Sequence, residues 1–212
     1  MKMNESQIRE QICSFGKSLY DRGLTPGSSG NISARVDDGW LMTPTNACLG
    51  LLDPARLSKL NAKGNLVSGD PATKESFLHI AMYDQRPNAD AVVHLHSTHS
   101  VAVSCLAEVD PRNVLPPITA YYIMRVGTLP LVPYYRPGDK ALAEAVRRFA
   151  DKHHAVLLAN HGAVVAGSSL SAAVYAIEEL EETAKLYLML KGCKTRFLTA
   201  EQVADIERTF PS

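Results

Sequence analysis

Apolar residues recur at Ile8, Ile12, Phe15, Leu19 and Tyr20, close to a 3.6-residue period, and predict a helix over 4–22 with Asn4 or Ser6 as N-cap and Gly23 as its stop. The pattern then turns extended. "ISARV" and "WLMT", separated by "DDG", read as a hairpin, and a second extended pair flanks the turn "NAKGN". Residues 73–86 return to a helical pattern that Pro87 ends. A strand is expected at 91–96 and a helix near 98–107, followed by a proline-rich stretch, 108–138, expected to be irregular and surface-forming. Beyond it the pattern predicts a helix from Gly138-Asp139 to about Ala150 and short apolar strands in "HAVLLAN" and "AVVAG". A long helix over 169–191 and a short closing one complete the chain. Hairpins with interposed helices point to a layered α/β or α+β arrangement in one domain spanning residues 1–212.

Composition narrows the class. The chain has 212 residues, 46% of them hydrophobic, enough for a substantial core without covalent staples. Lys and Arg together number 22, as do Asp and Glu, and no basic run exceeds a pair, so a nucleic-acid surface is not expected. No apolar run approaches the ~20 residues of a membrane span, and the first residues lack a signal-peptide core. The expectation is a cytoplasmic protein without disulfides, with Cys13, Cys105 and Cys193 as buried small residues.

The stretch "AVVHLHSTHS" places three of the seven histidines within six positions. Alternate strand residues share a face, their Cα atoms ~6.5–7 Å apart, so His94 and His96 project together while Leu95 faces the other layer. Two imidazoles so disposed can converge on one metal ion. "LLANHGAVV" delivers His161 at the end of another apolar strand, where Gly162 is expected to allow a sharp turn. "TKESFLHIAMY" sets Glu75 in the first turn of a helix. Three neutral imidazoles and one carboxylate form a first-row metal set, with Zn²⁺ the natural occupant, although spacing alone does not bring the four together. His79, four residues after Glu75, reads as a packed structural histidine more than as a partner orienting Glu75. His99 reads as a helix-cap or interface residue, and His153 and His154 as solvent-facing. Three polar turns add an anion-binding theme: "TPGSSGN" with Ser28 and Asn31, "TPTNACLG" with Thr45 and Asn46, and "ATKES" with Thr73 and Lys74. Together they favour a phosphorylated substrate.

These segments, "TPGSSGNIS", "LMTPTNACLG", "KES", "VVHLHSTHSVAVS" and "LLANHGAVV", resemble the class II aldolase/adducin family in order and over about residues 5–190. The resemblance implies a three-layer α/β/α domain around a largely antiparallel sheet, usually a homotetramer with active sites between subunits. It implies one Zn²⁺ per subunit on His94, His96 and His161, with Glu75 as acid/base and resting ligand. It implies phosphate contacts from Ser28, Asn31, Thr45, Asn46 and Thr73. Two positions depart from the aldolase pattern: Lys74 replaces a small hydroxyl residue, and Asn46 stands where glycine is frequent. "TKES", "HLHSTHSVAVSCL", "YYIMRVG" and "LPLVPYYRPGD" are most similar to the family branch that decarboxylates 3-oxo-tetronate 4-phosphates to dihydroxyacetone phosphate and CO₂. The implied chemistry is loss of CO₂ from a β-keto acid, with zinc stabilising the resulting enediolate. Glu75 is then the leading proton donor, Tyr121 or Tyr122 of a neighbouring subunit another, and Lys74 or Arg125 a counter-charge for the substrate. An aldolase or epimerase of the same family is the nearest rival. A non-catalytic adducin-like binding module and a zinc hydrolase are more distant ones.

Overall fold

In the computed structural model, which describes residues 3–136 and 138–210, the first helical pattern forms α1, Glu5–Asp21. Asn4 and Gln7 close a reciprocal capping box at its start, and Ile8, Ile12 and Leu19 face inward. The predicted hairpin is β1 (Asn31–Val36) and β2 (Gly39–Met42); β3 (Ser58–Asn61) and β4 (Leu66–Ser68) form the second pair. There follow α2 (Ser76–Gln85), β5 (Ala91–Leu95), α3 (Thr98–Ser104), α4 (Ala120–Arg125), β6 (Leu131–Val132) and α5 (Ala141–Ala150). The chain continues through β7 (Ala155–Leu158), β8 (Gly162–Gly167), α6 (Leu170–Leu190) and α7 (Ala200–Thr209).

Among the described residues, eight strands join one sheet in the order β4-β3-β2-β1-β5-β8-β7-β6. Only β6 and β7 run parallel. Alternation along the central strands builds a core on each face. Ala91, Val93 and Leu95 of β5 meet α1, α3, α4 and α6 on one side. Val92 points with Val156 and Val164 toward α2 and α5 on the other. The result is the expected α/β/α three-layer arrangement around a largely antiparallel sheet, and Leu95 does face away from the layer that His94 enters.

Strand directions place the site. β1 runs antiparallel to β2 and β5, β5 to β8, and β8 to β7. The starts of β1 and β8 therefore lie at the same end of the sheet as the finishes of β2, β5 and β7. Asn31, the 43–46 turn, His94, His96 and His161 all fall at that end.

Several local expectations are corrected. The 108–138 stretch is not a surface region: it contains α4 and β6, and Leu115, Tyr122, Leu129 and Val132 are buried. Pro137, within that range, lies outside the described residues. Helix α2 begins at Ser76, so Glu75 is its N-cap residue and does not belong to the first turn. His153 and His154 are half-buried, and His154 Nε2 lies 2.9 Å from the Arg125 carbonyl, an acceptor that requires an N–H there. Cys105 and Cys193 are exposed and Cys13 half-buried, so apolar sequence neighbours misjudged their burial; all four cysteines are free thiols.

Candidate metal centre

His94 is fully buried at the end of β5, and its Nδ1 lies 2.8 Å from the Ala163 carbonyl of β8. A carbonyl only accepts, so Nδ1 carries the proton and Nε2 keeps a lone pair for a cation. That Nε2 is 2.9 Å from His96 Nε2 and 3.5 Å from Glu75 Oε2. His161 Nε2 reaches Glu75 Oε1 at 3.2 Å. The four ligand atoms lie within 4.8 Å of one another. Tetrahedral zinc with bonds near 2.05 Å needs donors ~3.3 Å apart, so the set is already close to a closed coordination shell. Its chemistry, three imidazoles and one carboxylate, fits a divalent first-row metal ion.

The local backbone explains how these side chains meet. In the β7–β8 turn, Asn160 takes the left-handed conformation (φ 55°), which turns the chain just before His161. Gly162 serves a different need from the expected sharp turn: a Cβ there would come within 2.3 Å of the Leu95 carbonyl. Gly30 (φ 76°) passes behind the ligand strand less tightly, where a Cβ would stand 3.0 Å from the His94 carbonyl. Small residues thus let β1 and β8 close on the last residues of β5.

Burial dominates the electrostatics. It pushes His94 down to about 4 and His96 down to about 3, so both rings are neutral ligands at pH 7. At Glu75 burial works upward, but the His161 hydrogen bond, the neighbouring His94 and the Asn31 amide outweigh it and hold the carboxyl well below the usual carboxylate range.

The three polar turns gather at this end. Pro44 and Ala72 form a bridge, and Thr45 N–H donates to the Pro71 carbonyl at 2.9 Å, tying the 43–46 turn to the approach of α2. Next to Asn31, Thr43 N–H donates to the Ile32 carbonyl and Ile32 N–H donates to Thr43 Oγ1. Ser28, Asn46 and Lys74 are exposed there, Thr45 is half-buried and Thr73 buried. Asn46 has φ 57°, a left-handed conformation that glycine adopts easily and Asn tolerates, so Asn fits the backbone at a position where glycine is frequent in the aldolase pattern. Asn31 is more committed than expected of a phosphate contact: its Nδ2 donates to Glu75 Oε2 at 2.8 Å and its Oδ1 meets His79 Nε2.

Sequence reading missed what lies behind Asn31. His79 is fully buried with Nδ1 2.7 Å from Ser33 Oγ, which is 2.9 Å from Tyr83 OH. The signal was present as Glu75, His79 and Tyr83 at four-residue steps, facing Asn31 and Ser33 at a two-residue strand step.

Two expected residues stand elsewhere. Tyr122 lies in the core on the opposite sheet face from His94, fully buried with its hydroxyl unpaired among the described residues, so it is not presented to a neighbouring subunit. Tyr121, by contrast, is 59% exposed. Arg125 lines a cavity of about 510 Å³ with Ala89, His154 and Gly167, at the far end of the sheet from the metal ligands of its own chain. Its guanidinium lies over the Tyr175 ring. His99 is not a ligand: its Nδ1 and backbone N–H both meet Glu181, which also receives the Ser100 N–H at the start of α3.

Among the described residues no helix is long and apolar enough to cross a membrane. Residues 10–188 match the family of the class II aldolase and adducin N-terminal domain. The chain is 55% identical over 187 residues to a 3-oxo-tetronate 4-phosphate decarboxylase of Cupriavidus necator, covering 88% of this chain and 86% of that one. It is 50% identical over 203 residues to the Escherichia coli enzyme of the same name, covering 95% and 96%. The crystal structure of YgbL from Escherichia coli superposes with a TM-score of 0.93 at 49% identity, over 95% of this chain and 98% of that one. The chain belongs to the class II aldolase/adducin family.

Proposed function

We propose that the chain is a metal-dependent carboxy-lyase that converts a 3-oxo-tetronate 4-phosphate to dihydroxyacetone phosphate and CO₂. The observation that carries this reading is the placement of Glu75. It touches His94 and His161 within the ligand set, yet as a carboxylate it is also equipped to move a proton. The substrate is a β-keto acid: its C1–C2 bond breaks, the electron pair passes toward the C3 carbonyl, and C2 then takes a proton. His94, His96, His161 and Glu75 would hold a divalent ion, zinc being best suited to the nitrogen-rich set, and it would supply Lewis acidity for the negative charge that develops as CO₂ leaves.

The chain's own residues do the rest. His94, with Nδ1 fixed on Ala163, presents Nε2 in one tautomer and one orientation. Glu75 takes up a proton from water and delivers it to C2, and the exposed Tyr121, if a neighbouring subunit brings it, is the second candidate donor. Ser28, Thr45, Asn46 and Thr73 hold the phosphate from the surrounding turns, with Asn31 at their margin. Lys74 offers a mobile positive charge to a substrate that carries both phosphate and carboxylate. Arg125 takes part only if a neighbouring subunit brings it, and a homotetramer would supply such neighbours. A cytoplasmic location suits this chemistry of small phosphorylated acids.

The test is to incubate the purified protein with 3-oxo-tetronate 4-phosphate and follow both CO₂ and aldehyde. CO₂ and dihydroxyacetone phosphate in equal amounts are expected. Aldehyde release, or turnover of neutral sugar phosphates alone, would instead favour the aldolase reading.

A further inference from the structure

The buried groups behind Glu75 form a line that runs one way. An ionised Glu75 only accepts hydrogen bonds, so Asn31 must turn its N–H toward Oε2, as it does at 2.8 Å. The Asn31 carbonyl then faces His79 Nε2, which must be the N–H of that ring. A neutral imidazole has one N–H, leaving Nδ1 to accept from Ser33 Oγ at 2.7 Å, and Ser33 accepts in turn from Tyr83 OH at 2.9 Å. Burial, which pushes His79 down to about 4, keeps the ring neutral. Turning the Asn31 amide over would set its NH₂ against the His79 N–H and its carbonyl against the carboxylate. The second contact is repulsive whichever nitrogen of His79 carries the proton, the first in the tautomer described, and Asn31 and His79 are both buried from water.

We propose that His79 is a positioning residue which, by donating from Nε2 to Asn31, locks the Asn31 amide and so anchors one oxygen of Glu75. Oε2 is held, while Oε1, 3.2 Å from His161, remains the oxygen free to exchange partners. Glu75 then pivots between ligand and proton carrier about a fixed point and does not swing loose into solvent. The inference rests on the acid–base role proposed for Glu75. It explains why a histidine unable to reach the metal site sits fully buried on α2.

Two substitutions separate positioning from packing. The amide nitrogen of Gln overlays imidazole Nε2, and the amide of Asn overlays Nδ1. His79→Gln therefore keeps the donor to Asn31, while His79→Asn keeps only the partner of Ser33. For His79→Asn, kcat is expected to fall about 10- to 100-fold with KM and metal per subunit unchanged, the usual loss when a supporting partner goes. His79→Gln should retain most of the wild-type kcat. In crystal structures the Asn31–Glu75 hydrogen bond should persist in His79→Gln and be lost in His79→Asn. Equal losses in the two variants, no loss in either, or an intact Asn31–Glu75 contact in His79→Asn would overturn the proposal. If His79→Asn does not fold, Ser33→Ala replaces it, and unchanged kcat together with an undisturbed Glu75 would count against the proposal. Should the wild-type protein release no CO₂, the proposed reaction fails, while the crystallographic comparison still decides the role of His79.

Discussion

Glu75 is asked to be two things. As a ligand it must be anionic and still; as a proton carrier it must take and release a proton within the same pocket. The Glu75→Gln variant keeps the shape and one acceptor but cannot carry a proton. Metal should therefore be largely retained while kcat falls about 10²- to 10⁴-fold, the range of general acid–base catalysis; full activity would remove Glu75 from the chemistry. Lys74, one of the two departures from the aldolase pattern, stands exposed next to Glu75. In Lys74→Ser, kcat/KM for acidic sugar phosphates should drop more than for neutral ones, and equal effects would argue against a carboxylate partner. Much of this was legible in the sequence: the two-residue step from His94 to His96 predicts a shared face, and the fold delivers it. That Glu75 and His161 join them was legible only through family resemblance, because no local period links residues so far apart. The Asn31–His79–Ser33–Tyr83 line was hidden for a similar reason: it crosses from strand to helix, and each residue alone looks like ordinary packing.

Elements with a sustained period were readable, and short ones were not. Helices α1, α5 and α6 span 10 to 21 residues and show their buried faces in the pattern. Helix α4 has six residues and β6 two, both among prolines, which is too little sequence for a period to show. What makes them ordered is tertiary burial of Tyr122, Ile123 and Val132. The close approach of β8 to the end of β5 is likewise a property of paired elements. Gly162→Ala would push a methyl against the Leu95 carbonyl, one residue from His96. It should destabilise the protein by about 1–3 kcal/mol in denaturant titration, the usual cost of overpacking, and should weaken metal retention. An unchanged midpoint and metal content would mean that β8 is free to retreat.

At the scale of the whole molecule, an α/β/α sandwich directs several strand ends of one sheet to a single pole and buries ionisable groups there. Burial has a pH signature in the metal-free protein. His79 is pushed down to about 4 in the folded state, against about 6.5 in an unfolded chain. The unfolded state then binds more protons between these values, so stability is fully present above about pH 6.5 and is lost as pH falls toward 4. For His79 alone the loss from pH 7 to pH 5 is about 2 kcal/mol, and buried His94 and half-buried His96 add in the same direction. Urea titrations of the metal-free protein at the two pH values should show the drop. Equal stability would mean that these rings are not held neutral by burial.

The central claim is that imidazoles from β5 and the β7–β8 turn share one ion on which turnover depends, and metal add-back tests it most directly. Chelator-stripped protein should be inactive, and graded addition of zinc should restore CO₂ release in proportion to bound ion, up to one per subunit. His94→Ala should bind no stoichiometric zinc and recover nothing. Full turnover by the stripped protein, or recovery that ignores the bound ion, would contradict the account.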